Sequence, residues 1–380
     1  MTGLLNYFFR NWVEAPDFSP GNKTPAATWA LAPVIDGAAI LKKKKRTGAK
    51  ARVRKNVLSP GLKSGASTTL LRILLSLSLT AFAADKERGT VIRQATLYVL
   101  PGSNTGRVAQ VERGRDLVVF EKTNIDNNQP WLKVFVTLVQ NEDQVREITG
   151  WLPAKYVVTA STPNADQIIF GEAVDSERQA EERGGRKGAA QDAMRLYYRT
   201  QEIFPNSPLA GEAMWRAADI RWQLEKSQIM ARPSARELDP DARNPMDDEF
   251  MKQVMKKFPH TKWSDLAAYD LIDNKLCGEW KGLAKCPEKE SDLYEKYAHE
   301  HPQSPKAAES LYNAAWRQAA LVDIYRTNNE NDKSTNARKK AIALAQEIAS
   351  RYTEGDWKPR ALDMIYKLQQ NVPVYGSSEE

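Results

Sequence analysis

Hydrophobic and polar positions follow three successive patterns along the chain. Residues 70–79 form an apolar run broken only by Arg72 and two serines. Residues 89–160 then carry short β-prone runs at Val91–Gln94, Leu97–Val99, Arg107–Val111, Leu117–Lys122, Trp131–Val136 and Ile148–Leu152. Turn-forming clusters at 101–104, 113–115 and 126–130 separate them. Strands this short do not bury a core as a flat sheet, so the pattern predicts a small curled β-barrel over 89–160. Beyond Ser161-Thr162-Pro163-Asn164 the period changes to that of helices and stays so to about residue 371.

The helical part repeats a punctuation mark. Phe204-Pro205-Asn206-Ser207, Phe258-Pro259-His260-Thr261 and His301-Pro302-Gln303-Ser304 each follow an aromatic-bearing amphipathic run and precede an Ala-rich one. A degenerate fourth copy stands at Tyr352–Pro359. Proline ends the first helix of each pair, and Ser or Thr is placed to cap the second. After the third copy, Ala308, Leu311, Tyr312, Ala315, Ala319 and Val322 fall on one helical stripe, and small alanines there allow close helix packing. The pattern predicts stacked helical hairpins. Successive copies are 54, 43 and 51 residues apart, and inserts at Ser227–Pro245, Cys277–Pro287 and Thr327–Ser334 account for the spacing. The Pro- and Arg-rich stretch Ile229–Pro245 reads as a flexible loop, and 372–380 as a flexible tail.

The apolar run changes how charge is read. Lys63 before it and Arg72 at its N-terminal end supply positive charge and Ala81-Phe82-Ala83 follows it, the three-part layout of an export signal cut between Ala83 and Ala84. Residues 63–84 are expected to be that signal. Residues 1–62 are expected to be disordered or upstream of the true start. The alternative is a membrane anchor through an uncleaved 70–84 segment, but its apolar core is shorter than the about 20 residues a bilayer needs. The whole chain carries a formal +7, yet residues 1–83 hold 13 Lys+Arg against 3 Asp+Glu, which leaves the remainder at −3. The expected mature chain therefore lacks the basic footprint of a nucleic-acid binder, and no stable transmembrane span is expected in it.

Both cysteines, Cys277 and Cys286, lie close together behind the export signal, which reads as a disulfide. The three histidines, His260, His299 and His301, form no ligand pattern with them, so no metal is expected. The chain contains no Gly-x-Ser-x-Gly elbow, no His-Glu-x-x-His motif and no Walker loop, and no catalytic residues or cofactor are assigned. Gly184-Gly185-Arg186-Lys187-Gly188 reads as a break between a helix over 166–182 and another starting near Ala189.

The β-prone segments, taken in order, carry a resemblance. Ala95–Gly102, Gly106–Val111, Gly114–Phe120, Trp131-Leu132-Lys133-Val134 and Thr149-Gly150-Trp151-Leu152 through Val157 resemble a bacterial Src-homology-3-like (SH3-like) domain at about 90–158. The turn after Tyr98 lacks the family's usual Arg, and an acidic insert at Gln140–Glu147 lengthens one hairpin. The punctuated helices resemble divergent tetratricopeptide repeats over about 165–371. The resemblance implies a multidomain β plus α chain, a barrel that engages a cell-wall peptide or glycan, and a solenoid that holds a protein partner.

Tyr98, Trp131, Trp151 and Tyr156 are the candidate ligand-contacting aromatics of the barrel. For the two tryptophans the favoured reading is filling of the small-barrel core, which needs bulky interior residues, and the tyrosines near strand ends are the better surface candidates. The chain is thus expected to be an exported, periplasmic, non-enzymatic adaptor. The alternatives are an envelope assembly scaffold without wall binding, or an accessory subunit of a wall-remodelling enzyme.

Overall fold

The computed structural model describes residues 86–125, 129–141 and 144–375. The expected signal and its cleavage position lie outside the described residues. Contacts divide the chain into two compact units that meet in sequence at Ala160 and Ser161. The first unit is an antiparallel sheet and the second is helical, a β plus α layout.

The sheet comprises β1 (Glu87–Val91), β2 (Ala95–Tyr98), β3 (Arg107–Val111), β4 (Asp116–Ile125), β5 (Gln129–Asn141), β6 (Gln144–Pro153) and β7 (Val157–Thr159), in the spatial order β3-β2-β6-β5-β4-β1-β7. Period-two alternation sets its faces. Leu97, Val111, Leu117, Val134 and Leu152 point to one side and form its apolar cluster. The first expected strand is displaced: β1 ends at Val91, where expectation began, and Gln94 lies outside it. Pairing with Val119 and Val118 of β4 holds Glu87 and Arg88 in a strand that their polarity did not suggest, and β7 pairs with Gly89 to Val91. The acidic insert does lengthen a hairpin, with β5 and β6 paired out to Asn141 and Gln144. Gly150 sits where a Cβ would come 3.1 Å from the Tyr98 carbonyl oxygen, so its missing side chain lets β2 close on β6.

Nine α-helices make up the described second unit: α1 (Ala165–Glu181), α2 (Ala189–Ile203), α3 (Ala210–Met230), α4 (Glu249–Lys257), α5 (Lys262–Asp270), α6 (Lys285–Glu300), α7 (Ala307–Thr327), α8 (Asn331–Arg351) and α9 (Trp357–Gln369). The proline punctuation falls between α2 and α3, α4 and α5, and α6 and α7; the degenerate fourth copy spans the link from α8 to α9, with its Pro359 in the first turn of α9. Thr261 caps α5, accepting from the Ser264 N–H. Ser207 and Ser304 instead close the turn just before their helices, accepting from the N–H of Leu209 and Lys306. Gly188, at φ 79°, supplies the left-handed residue that starts α2 after the glycine break. Helix α7 is buried nearly all round, as a central helix must be, with Leu311, Ala315 and Ala319 at 0 % exposure.

Two inserts behave differently from expectation. Thr327–Ser334 is the end of α7, a short link and the first turn of α8, so the wide spacing there comes from two 21-residue helices. Ile229–Pro245 is not a free loop. Arg243 is buried and donates to the Leu276 carbonyl, the Gly278 N–H donates to Glu237 O at 2.9 Å, and Asn274 exchanges two hydrogen bonds with the Met246 backbone. Composition marks such a stretch as a loop but does not show carbonyls waiting for its arginine. The tail is also anchored over its first residues: Val372 N–H donates to Lys367 O at 2.9 Å.

Cys277 and Cys286 form a disulfide, with Cα atoms 6.0 Å apart. Cys286 lies in the first turn of α6, so the bond ties that helix to the loop leaving α5. Replacing both cysteines by serine is expected to lower stability by about 2.5–3 kcal/mol, the chain-entropy value for so short a loop. The midpoint of chemical unfolding under oxidising conditions checks this, and reductant should move wild type to the same midpoint.

Candidate functional site

In the sheet unit, Trp131, Lys133 and Phe135 alternate with Leu132, Val134 and Val136 along β5, which puts them on the face opposite the apolar cluster. Register then sets their neighbours. Lys133 lies across from Trp151 on one side and Glu121 on the other, and Trp151 lies across from Tyr98. Three of the four aromatics singled out in the sequence are thereby brought together. The rings of Tyr98 and Trp131 meet edge to face at 5.7 Å, and the Lys133 ammonium stands 5.8 Å from the Trp151 ring centroid and 3.6 Å from Glu121 Oε2. Both tryptophans are buried but neither belongs to the apolar cluster. Their burial leaves neither as an open platform. Tyr156 stands apart from this group, in the turn Ala154–Tyr156, where it packs against the apolar cluster and Lys155 lies 5.2 Å over its ring.

The same unit holds a feature that sequence reasoning missed. An open cleft of about 280 Å³ runs between β3 and the β5–β6 hairpin. Val108, Ala109, Leu138 and Ile148 supply its apolar surface, and Glu112, Arg115 and Arg146 its charges. Arg115 is held by Glu112 at 3.2 Å. Arg115 lies in the run Gly114–Phe120 and Arg146 in the acidic insert, and only the curl of the sheet gathers them with Glu112. An apolar floor beside two guanidinium groups suits an amphipathic ligand that carries a carboxylate.

No protein-family model matches the chain, and no curated protein is similar to it in sequence. The geometry of its own side chains therefore carries the functional reading.

The helical unit concentrates its buried charge along α3, α5, α6 and α7. Arg216 donates to Glu177 at 2.7 Å and to Glu212 at 2.8 Å, and Tyr197 donates to Glu177 at 2.6 Å. Burial, with Glu177 beside it, pushes the Tyr197 hydroxyl well above its ordinary range. Further along, Asp273 accepts from Trp222 Nε1 at 3.2 Å and Lys226 Nζ at 2.7 Å. Asp219 and Asp270 lie nearby. Burial, then the neighbouring Asp219 and Asp273 charges, raises the Asp270 carboxyl strongly. His301, whose neighbours the sequence did not reveal, bonds Asp265 at 2.8 Å and stacks near Tyr297, bracing the end of α6 on α5. Among the described residues no cluster of three His, Cys, Asp or Glu side chains is placed to hold a metal ion.

The disulfide loop adds the densest constellation. Glu290 is 1 % exposed and Arg317 6 %, and they pair at 2.7 Å. Glu290 also accepts from the Cys277 N–H at 2.9 Å and from Trp280 Nε1 at 3.2 Å. Arg317 lies 4.4 Å over the Tyr294 ring and Trp280 packs at 5.3 Å on Trp316. One buried ion pair thus fixes the loop, its indole and the wall of a groove at once.

Two outcomes are expected. Burial raises Asp219 to about 6, so between about pH 4 and pH 6 the folded chain holds a proton that the unfolded chain has lost, and stability falls as pH rises through that window. Asp219→Asn should therefore melt above wild type at pH 7.5, with the difference vanishing below about pH 4 in scanning calorimetry. Glu290→Ala should cost about 3–5 kcal/mol, because it leaves the Arg317 charge buried and unpaired. Glu290→Met combined with Arg317→Leu should recover most of that loss in denaturant titrations.

Proposed function

We propose that the chain is an exported, non-enzymatic adaptor of the cell envelope. In this reading the sheet unit is a Src-homology-3-like barrel that engages a cell-wall peptide. The helical unit is a tetratricopeptide-like stack that holds a protein partner. The observation that carries the proposal is the cleft lined by Val108, Leu138, Arg115 and Arg146. Wall peptides are short, amphipathic and rich in free carboxylates, and the cleft offers apolar contact beside two guanidinium groups. On the opposite face the half-buried Tyr98 and Lys133 add a second contact suited to peptide side chains. Among the described residues no helix is long and apolar enough to cross a membrane.

A scaffold reading, in which both units bind proteins, is favoured by a different observation: the surface beside Trp280 and Asp323 already holds a piece of polypeptide, Val374-Tyr375.

Purified chain starting at residue 85 should pellet with isolated sacculi. Arg115→Ala combined with Arg146→Ala should weaken that retention by about tenfold or more, the range for losing a hydrogen bond to a charged group. Unchanged retention in the double variant would remove the cleft from the proposal. No retention of wild type, with a stable envelope protein still bound, would favour the scaffold.

A further inference from the structure

The C-terminal segment is bound to the helical unit as a ligand would be. The N–H groups of Val374 and Tyr375 both donate to Asp323 Oδ2, at 2.8 and 3.1 Å. Asp323 is 7 % exposed and is steadied by Arg326, which donates to its other oxygen at 2.7 Å. Val374 packs against the apolar cluster built on α6 to α9. The Tyr375 ring lies 5.5 Å from Trp280, which in turn rests on Trp316. Pro373 precedes them and has no N–H to offer. Recognition thus uses two main-chain donors, one aliphatic side chain and one aromatic ring.

Nothing in that set is peculiar to this tail. Any segment that presents an aliphatic residue followed by an aromatic one, with both N–H groups free, meets the same carboxylate, apolar wall and indole. Trp280 reaches the groove because the Cys277–Cys286 disulfide and Glu290 hold its loop, so half of the aromatic wall is built independently of the tail.

We propose that this groove is the partner-binding site of the helical unit, that it takes a peptide segment bearing an aliphatic–aromatic pair, and that Pro373-Val374-Tyr375 is an internal competitor for it. The proposal rests on the reading of the helical unit as a partner-holding module and names the chemistry of the partner. A tether this short gives the tail an effective concentration on the order of millimolar, so an external peptide must outbid it. Removing the tail removes that competition.

The test uses a fluorescein-labelled peptide of the sequence Gln-Asn-Val-Pro-Val-Tyr, matching Gln370–Tyr375, with an amidated end. It should bind the chain truncated after Asn371 at least about tenfold more tightly than the full chain, measured by fluorescence anisotropy. The same peptide with alanine for its tyrosine should not bind. Asp323→Asn and Trp280→Ala in the truncated chain should each weaken binding by about tenfold. Should truncation unfold the protein, full-length Tyr375→Ala, which frees the ring site and keeps the rest, should show the gain instead. Equal binding to full and truncated chains would overturn the competitor role. No binding to a folded truncated chain would overturn the site. Either failure, with an envelope partner still held by the full chain, leaves the adaptor reading standing. Loss of partner binding by every variant would sink that reading itself.

Discussion

A single ion pair in the helical unit carries obligations on every side. Taking Glu290 and Arg317 out of water is expensive, and the pair persists because every neighbour completes its hydrogen bonding. Glu290 is met by Arg317, a main-chain N–H and an indole; Arg317 is met by Glu290, the Asn313 carbonyl and the Tyr294 face. The helices that bring these groups together, α6 and α7, form the middle of the largest apolar cluster. A well-packed apolar substitute would be no less stable. What the charges add is direction: they fix where the disulfide loop lies, and so where Trp280 stands.

The two units solve opposite problems. The sheet unit is small, and it segregates an apolar face from one that carries aromatic and charged side chains. The helical unit is larger and accepts half-buried carboxylates, among them Asp219 and Asp270, whose charge is disfavoured where they sit. Groups held at such a disadvantage sit on one line of helices with the peptide-holding groove. Stability is given up there to hold polar groups among the helices.

Much of the layout was legible in the chain. Short β-prone runs with turn signals between them located β2 to β6, the glycine break located the join of α1 and α2, and the proline punctuation located α2–α3, α4–α5 and α6–α7. β7 escaped because three residues, Val157–Thr159, are too few to show a period. Ile229–Pro245 was misread because proline and arginine mark a loop whether or not it is docked. The site was less legible. Tyr98, Trp131 and Trp151 were found by residue type, yet only register reveals that they share a face opposite the apolar cluster. Asp323, Trp280 and Tyr375 lie far apart in sequence and match no motif, so their convergence is a property of the fold alone.

The docking of the long insert has a last consequence. Helices α4 and α5 have nine residues each, too short to persist on their own in water. In a plain stack of helical hairpins, where each touches only its neighbours, such a pair would be the place where the array breaks. Here the segment before them is bonded to the segment after them, through Arg243, Asn274 and Gly278, so the chain enters and leaves the pair at one clasp. The weakest hairpin therefore cannot peel away as a unit, and its amides should exchange with solvent only when the clasp itself opens.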